Sequence, residues 1–393
     1  MPNPYFAPGG DYGEQWWSLD YALALEGVKW LDFSLGTAMI ENFSKMQDDD
    51  GRIPLWGAGK VLNYPNTRRE PVASLPKYFE SAFKIALMSG STKIRRQTLT
   101  VFEKSIRWWL QNRQDPQTGL ITAVFEETFI PNIISGSLVY APPDTNIEVA
   151  IGCKNAAELA ELDGQPEKAF HYRKLAQSIF NAVRKFLWND EKGAYLPFIL
   201  PEHRHEPCLM ASAFLGFRLR DTARSKRLSR LLHDPERFNW NTFPLTTIAR
   251  DDERFTICRG RYTGNPCWSG SVWALTNASV IDALTAGGEL EDAAELAVRT
   301  IRAFRGNYAE FLTPDTGSGE GVLRYAWTAS LFIRIIIENL FGLSYTRESG
   351  VTAKPNFPKR WAARPAVLEG LTLPDGKRIR ICCLNNHAEI CRL

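Results

Sequence analysis

The chain has 393 residues, 44% of them hydrophobic and 23% charged, with 47 basic residues against 44 acidic ones. This length and composition predict a globular, soluble protein with an extensive buried core, as one large domain or two ordinary ones. Since the charges nearly cancel and no dense run of Lys and Arg occurs, we do not expect nucleic acid as a partner.

The predicted secondary structure is a series of helices arranged in pairs. Hydrophobic residues recur with helical spacing, and strand-like alternation is almost absent before the C-terminus. Short connectors such as MSGST, LDGQPE and TAGGELED combine a glycine stop with a polar restart, which predicts helical hairpins. In chain order, the predicted helices cover residues 15–28, 29–47, 74–90, 91–113, 146–163, 165–188, 207–218, 222–233, 269–287, 289–305 and 325–342.

These helices make five hairpins and one unpaired helix, one helix short of a ring of six hairpins. Long connectors rich in Gly, Pro and aromatic residues join the hairpins, for example DPQTGLITAVFEETFIPNIISGSLVYAPPDT and YAEFLTPDTGSGEG. A ring of hairpins places its short turns on one face and its long connectors on the other. Because long ordered loops are usually functional, we expect the functional site on the face of the long connectors.

The pattern changes near the C-terminus. After residue 342, the segments GVTAKPNFPKRW and AVLEGLTLPDGKRIRICCLNN indicate short strands with a Pro-Asp-Gly turn. We therefore predict an all-α domain over residues 1–343, followed by a short β-rich extension over residues 344–393 that packs on it.

Other features narrow the cellular setting. The N-terminus, MPNPYFAPGGDYGEQWW, has no basic start before an apolar core, so we expect no secretory signal. The most apolar run contains Arg334 and Glu338, which favours a buried helix over a membrane span. Seven scattered cysteines lack the paired spacing of a zinc site or a disulfide framework. We expect a cytoplasmic protein without a metal or cofactor.

Two segments in the first half of the chain contain candidate site residues. EQWWSLDYALAL places Trp16, Trp17 and Asp20 at a helix start, where a helix cap with core aromatics is an equally good interpretation. TAVFEETFIPN places Glu126 and Glu127 side by side after an aromatic residue. Adjacent acids usually form a solvated face, but an apolar surrounding raises a carboxyl pKa enough to make a proton donor.

Three later segments add further candidates. In YAPPDTNIEVAI, Asp144 is well placed to cap the following helix, which is the role we favour for it on the sequence alone. In GNPCWSGSVWALTNAS, Trp268 and Trp273 flank a helix start whose backbone N–H groups can meet ligand oxygens. In AEFLTPDTGSGEG, Glu310 precedes an aromatic residue and a glycine-rich turn.

In this order, the segments resemble those of the six-hairpin glycoside hydrolases. The similarity is greatest to the group of trehalases, processing α-glucosidase I and the mannosylglycerate and glucosylglycerate hydrolases. The matching stretches are WWSLD, GRIP at 51–54, DTN at 144–146, CWSGSVW at 267–273 and EFLTPDTGSGEG…YAWTASL at 310–331. The resemblance covers the chain up to about residue 343 and implies an (α/α)6 toroid of helical hairpins.

The resemblance also implies roles for single residues. Glu310 takes the place of the general base of this group. The group's SGWDxS stretch, which holds the general acid, is missing, and FEETFIP stands there instead. That stretch is similar to the WEE segment of glucoamylases, which implies Glu126 as general acid, with Glu127 as the alternative. The residues implied to bind the substrate are Trp16, Trp17, Asp20, Asp144, Asn146, Arg261, Trp268, Trp273 and Trp327.

One further position departs from the group. The Arg of the group's YWRGP stretch is Ser269 here, so a contact to the sugar or to an anion is lost, or is supplied by Arg259 or Arg261.

The leading hypothesis is a hydrolase that cleaves a small α-linked glycoside, such as a glucoside, a mannoside or a trehalose-like sugar, with inversion of the anomeric carbon. One alternative is a phosphorylase or an epimerase on the same fold, although Glu310 argues against the first. Epimerases generally use histidines for proton transfer, and the five histidines, 171, 203, 205, 233 and 387, mostly avoid the long connectors, which argues against an epimerase. His203 and His205 in the stretch EHRHEP remain a candidate pair for that role. The other alternative is a catalytically inactive toroid that binds sugars.

Overall fold

The computed structural model describes residues 3–13, 15–57, 72–124, 126–130, 134, 139–260 and 267–393. Helices account for most of the regular structure. The α-helices are α1 Ser18–Val28, α2 Phe33–Met46, α3 Tyr78–Ser89, α4 Thr92–Asn112, α5 Pro143–Leu162, α6 Pro166–Ala182, α7 Thr222–Leu232, α8 Ala274–Gly287, α9 Leu290–Phe304, α10 Ala326–Arg334 and the short α11 Lys359–Ala362.

Four segments have other helical geometries. The first is a single 3₁₀ turn, Gly10–Tyr12, near the N-terminus. Residues Ala211–Leu219 form a 3₁₀ helix, here called the 3₁₀ segment, where the sequence predicts the helix 207–218. Single π-helical stretches, Val183–Leu187 and Ile335–Leu340, continue α6 and α10. Between residues 18 and 340, the helical segments of the described part of the chain therefore follow the predicted series in number and order, whereas Gly10–Tyr12 and α11 were not predicted.

Six of these segments contact one another in a closed cycle. The order of contacts is α1, α3, α5, the 3₁₀ segment, α8 and α10, and α10 returns to α1. The α1–α10 contact is close, since the N–H of Gly27 donates to the hydroxyl of Ser330 at 2.7 Å. The helices between them in the chain pack against the members of this cycle, for example α4 on α5 and α9 on α8.

The inner segments share a buried ionic network of five acidic and five basic side chains. Each of the six segments, or the residues at its ends, contributes at least one member. Arg218 of the 3₁₀ segment pairs with Glu80 of α3 at 2.8 Å, and these two segments are not neighbours in the cycle. The pair therefore crosses the interior. The members are Glu26, Lys29, Lys77, Glu80, Lys84, Glu148, Arg218, Asp282, Arg334 and Glu338.

Short strands connect the helices on the side of the long connectors. They are β1 Trp16–Trp17, β2 Trp56–Gly57, β3 Tyr140–Ala141, β4 Trp188–Asn189, β5 Ala194–Tyr195, β6 Phe198–Ile199, β7 Arg204–His205, β8 Phe311–Leu312 and β9 Gly319–Glu320. All their pairings are antiparallel: β1 with β2, β3 with β6, β6 with β7, β4 with β5, and β8 with β9.

The C-terminal strands form a separate hairpin and a meander. The hairpin pairs β10 Leu343–Thr346 with β11 Gly350–Ala353, and the meander orders β12 Ala366–Thr372, β13 Arg378–Leu384 and β14 His387–Arg392. Buried apolar side chains of these strands share a hydrophobic cluster with Trp30, after α1, and Met88 of α3. The strands thus pack on the helical part. Among the described residues, no helix is long and apolar enough to cross a membrane.

Candidate active site

A cavity of about 310 Å³ opens among the long connectors. Its wall comes from the N-terminal segment, the starts of α1, α8 and α10, and the connectors that precede α5 and β8. Three of the inner helices thus point their N-terminal ends at one space. The lining residues are Tyr12, Trp17, Leu19, Asp20, Leu55, Glu126, Thr128, Phe129, Cys267, Trp268, Trp273, Glu310, Tyr325 and Trp327.

Glu310 is held in place by the β8–β9 hairpin that follows it. Its backbone N–H donates to the carbonyl of Val322 at 2.8 Å, and the N–H of Val322 donates to its Oε2 at 3.1 Å. The hydroxyl of Tyr12 donates to Oε1 at 3.2 Å. Gly321 has φ +69°, and a Cβ atom there would lie 2.6 Å from Oε2. The glycine thereby allows the backbone to approach the carboxylate.

Two further carboxyl groups share the cavity with Glu310. Burial, followed by the Glu310 carboxylate, raises the pKa of Glu126 to about 7. Burial also raises the pKa of Asp20 to about 8; a hydrogen bond from the Tyr325 hydroxyl, 2.7 Å from Oδ1, opposes this rise, and the carboxylates of Glu310 and Glu126 add to it. A carboxyl group with a pKa near 7 holds a proton at neutral pH part of the time. The cavity therefore combines proton donors with the carboxyl group of Glu310.

Glu127 does not reach the cavity, although it is adjacent to Glu126. Its carboxylate binds the guanidinium of Arg113 through two hydrogen bonds of 2.7 and 2.9 Å. The same oxygens accept from the backbone N–H groups of Ala73 and Val124 at 2.8 and 3.0 Å. Four donors surround a fully buried carboxylate. Burial raises the pKa of Glu127, and these four hydrogen bonds oppose the rise. The arrangement fixes the connector and occupies the carboxylate oxygens with protein donors.

Aromatic side chains form much of the cavity wall. The rings of Trp268 and Trp273 stack with centroids 3.6 Å apart and an angle of 8° between the planes. Trp17 stacks on Trp56 at 5.7 Å. Trp327 packs edge-on against Trp273, and its buried indole N–H has no hydrogen-bond partner among the described residues.

The structure does not bring Trp16, Asp144 and Asn146 to the cavity, in contrast to the interpretation as binding residues. Trp16 is buried and packs on Phe43 in the core, because side chains alternate along β1 and Trp17 takes the cavity side. Asp144 lies behind the wall, where it accepts hydrogen bonds from the Thr128 hydroxyl and from a backbone N–H.

Asn146 fixes the connector before α5. Its amide donates to the carbonyls of Ile121 and Pro142 at 2.7 and 2.8 Å, and its Oδ1 accepts from the N–H of Ile121 at 2.7 Å. Asn277 of α8 makes the matching set of bonds with Leu245 and Trp273. The two asparagines are therefore structural clamps at equivalent helix starts.

The remaining candidates are placed as follows. Arg261 lies outside the described residues. Arg259 pairs with Asp315. His203 and His205 of the EHRHEP stretch pack against Phe198 and do not line the cavity.

Sequence reasoning missed several wall residues, above all Tyr12, Tyr325 and Cys267. Tyr325 stands two positions before Trp327 in the YAWTASL stretch, so its position at a helix start was a usable signal. Tyr12 had no such signal, since the N-terminal segment has no periodicity that would direct it toward a residue 298 positions away.

The chain matches a known enzyme family over half of its length. The family described as mannosylglycerate hydrolase MGH1-like glycoside hydrolase domain matches residues 131–328. The mannosylglycerate hydrolase of Rubrobacter radiotolerans is 27% identical over 188 residues, which are 47% of this chain and 41% of that relative. The chain thus aligns with less than half of the relative's length.

Solved structures of two such enzymes share its fold. The mannosylglycerate hydrolase of Thermus thermophilus in complex with glucose superimposes with a TM-score of 0.70 at 18% identity, covering 84% of this chain and 95% of that chain. Neutral trehalase Nth1 from Saccharomyces cerevisiae gives a TM-score of 0.63 at 14% identity, covering 84% and 73%. The resemblance inferred from the sequence motifs is confirmed.

Proposed function

The chain belongs to the family of mannosylglycerate hydrolase MGH1-like glycoside hydrolase domains, and from that premise we propose that it hydrolyses a small α-linked glycoside with inversion. In this proposal Glu126 is the general acid and Glu310 the general base. One observation carries the proposal: both carboxyl groups line the same cavity, whose wall is largely aromatic, and the pKa of Glu126 is raised there.

The surroundings of Glu310 support its role as base. Its oxygens accept hydrogen bonds from the hydroxyl of Tyr12 and from the backbone N–H of Val322. These hydrogen bonds orient the carboxyl group, and a carboxylate held in this way is suited to take a proton from a water molecule. That water would attack the anomeric carbon.

The surroundings of Glu126 support its role as acid. A pKa of about 7 lets the side chain keep its proton up to neutral pH and give it to the glycosidic oxygen. Glu127 then acts as a positioning residue. It anchors the connector to Arg113, at the end of α4, and so fixes where Glu126 points.

The wall supports a sugar as the bound group. Flat aromatic faces such as Trp268 and Trp17 suit the apolar faces of sugar rings, and Asp20 and the indole N–H of Trp327 offer hydrogen bonds to hydroxyl groups. Asp144 and Asn146 support the wall from behind.

The fine architecture belongs to the same proposal. The cycle of contacts through α1, α3, α5, the 3₁₀ segment, α8 and α10 supports a closed (α/α)6 barrel over residues 1–343. The apolar contacts of the C-terminal strands with Trp30 and Met88 support a separate β-rich extension over residues 344–393.

The test is the variant Glu310→Gln, assayed on a panel of uncharged α-glycosides and on mannosyl and glucosyl derivatives of glycerate. We expect turnover to fall by at least about 10³-fold while calorimetry still detects the sugar, because the amide cannot accept the proton of water. For the wild type, the first sugar anomer released should have the configuration opposite to that of the substrate, which is the sign of inversion. Undiminished turnover in Glu310→Gln would exclude this residue as the base.

A further inference from the structure

The cavity has a one-sided charge distribution. Its wall contains the carboxyl groups of Asp20, Glu126 and Glu310, and none of its described lining residues is Lys, Arg or His. These carboxyl groups also affect the pKa values of two neighbouring side chains, Cys267 and Tyr325. After burial, the charge of Glu310 is the main reason that the pKa of the Cys267 thiol rises to about 12, and the charges of Asp20 and Glu310 help to raise the pKa of Tyr325.

The charged groups beside the wall continue this pattern. Glu320 immediately precedes the backbone that packs on Glu310, and its Oε2 accepts the N–H of Gly260 at 2.7 Å. Arg259, the next residue along, is paired with Asp315. The carboxylates of Asp315 and Glu320 therefore outnumber the one cation in this described group.

We propose that the glycoside cleaved here has an uncharged leaving group, in contrast to the anionic glycerate named in the relatives; this inference rests on the proposed hydrolase function. A substrate carboxylate would stand near the carboxylate of Glu310, and it would find no cation among the described lining residues. Like charges in such a space oppose each other, and the arrangement selects against the anion.

A charged leaving group would also affect the protonation of Glu126, the proposed general acid. A substrate carboxylate near Glu126 would further favour the protonated form of this side chain and would gain no ionic partner from the described wall. A leaving group with hydroxyl groups alone can accept hydrogen bonds from the protonated carboxyls and donate to Glu310. The wall thus offers such a group both kinds of partner.

The experiment compares substrates that differ only in this charge. The probes are α-glucosylglycerol with α-glucosylglycerate, and α-mannosylglycerol with α-mannosylglycerate, with trehalose as a further uncharged glycoside. We expect kcat/KM to be at least about tenfold higher for the uncharged member of the pair that is cleaved, or cleavage of trehalose alone. Equal or faster cleavage of a glycerate derivative overturns the inference and leaves the hydrolase proposal intact. Absence of sugar release from every probe contradicts the hydrolase proposal itself.

A charge variant connects the selectivity to the structure. Asp315→Asn removes the carboxylate that pairs with Arg259, so we expect it to raise the relative kcat/KM for the anionic probe by about threefold or more. Asp375→Asn is the matched control, because Asp375 pairs with Lys377 in the turn between β12 and β13 and changes the net charge equally. An equal effect of both variants, or no effect of Asp315→Asn, would contradict a role for this local charge.

Discussion

Substitution of Glu126 and Glu127 tests the different surroundings of these two neighbouring carboxyl groups. The same change, Glu to Gln, should alter the free energy of unfolding in opposite directions at the two positions. Glu126→Gln replaces a partly exposed carboxyl whose pKa is raised and for which the structure shows no cationic partner among the described residues. Glu127→Gln replaces a carboxyl whose pKa is also raised by burial but which binds the guanidinium of Arg113. We expect the first variant to be more stable than the wild type at pH 8 and the second to be less stable.

The magnitude for Glu126 follows from its pKa. The rise from 4.5 to about 7 means that folding opposes ionisation, so the wild type loses stability as the pH rises through this window. At roughly 1.4 kcal/mol per pKa unit, the loss is roughly 3 kcal/mol at pH 8 and roughly 1 kcal/mol at pH 5. Glutamine does not ionise, so Glu126→Gln should gain stability by up to these amounts. The side chain is partly exposed, and the figures are therefore upper limits.

For Glu127, the expected loss of stability comes from its ion-pair partner, Arg113. Glu127→Gln leaves the buried guanidinium of Arg113 without its counter-charge, which should cost about 3 kcal/mol or more. Denaturant unfolding at pH 5 and pH 8 measures both variants, and turnover should fall strongly in Glu126→Gln. A loss of stability in Glu126→Gln at pH 8, or a gain that is the same at both pH values, would refute this reasoning.

Two other predictions concern activity. In Gly321→Ala, the new Cβ atom would meet Oε2 of Glu310 at 2.6 Å, so we expect kcat to fall by about 10- to 100-fold through displacement of the carboxylate. Gly376→Ala is the control, since Gly376 also has a positive φ of +82° but a Cβ atom there would have no neighbour within 4 Å, and its kcat should match that of the wild type. The pH profile of kcat/KM should fall as the pH rises through about 7, where Glu126 loses the proton that it must donate. A fall centred near the ordinary carboxyl pKa of 4.5 would contradict Glu126 as the acid.

The helices could be predicted from the sequence because their apolar spacing is a local property. The helix predicted at 91–113 is found at Thr92–Asn112, for example. Helix starts near the cavity were predicted less well. The helix predicted from residue 269 begins at Ala274, because Val272 pairs with Leu312 and so continues an extended segment. Such pairing depends on residues far along the chain and leaves no local pattern.

The candidate site could be predicted only in part for the same reason. Motif order grouped Glu310, Trp268, Trp273 and Trp327, and all four line the same cavity. It could not separate Glu126 from Glu127, because the direction of each side chain depends on the turn of the connector. The deciding partner was Arg113, which stands at the end of the preceding helix and pairs with Glu127 at 2.7 Å.

The buried ionic network has a consequence for how the chain assembles. Its members come from helices that are distant in sequence, such as Glu26 with Lys84 and Glu80 with Arg218. Rotation of one inner helix by half a turn, or insertion of a hairpin in the wrong order, would bury charges without partners at a cost of several kcal/mol. We therefore expect the network to discriminate against misfolded arrangements that the apolar contacts alone would tolerate.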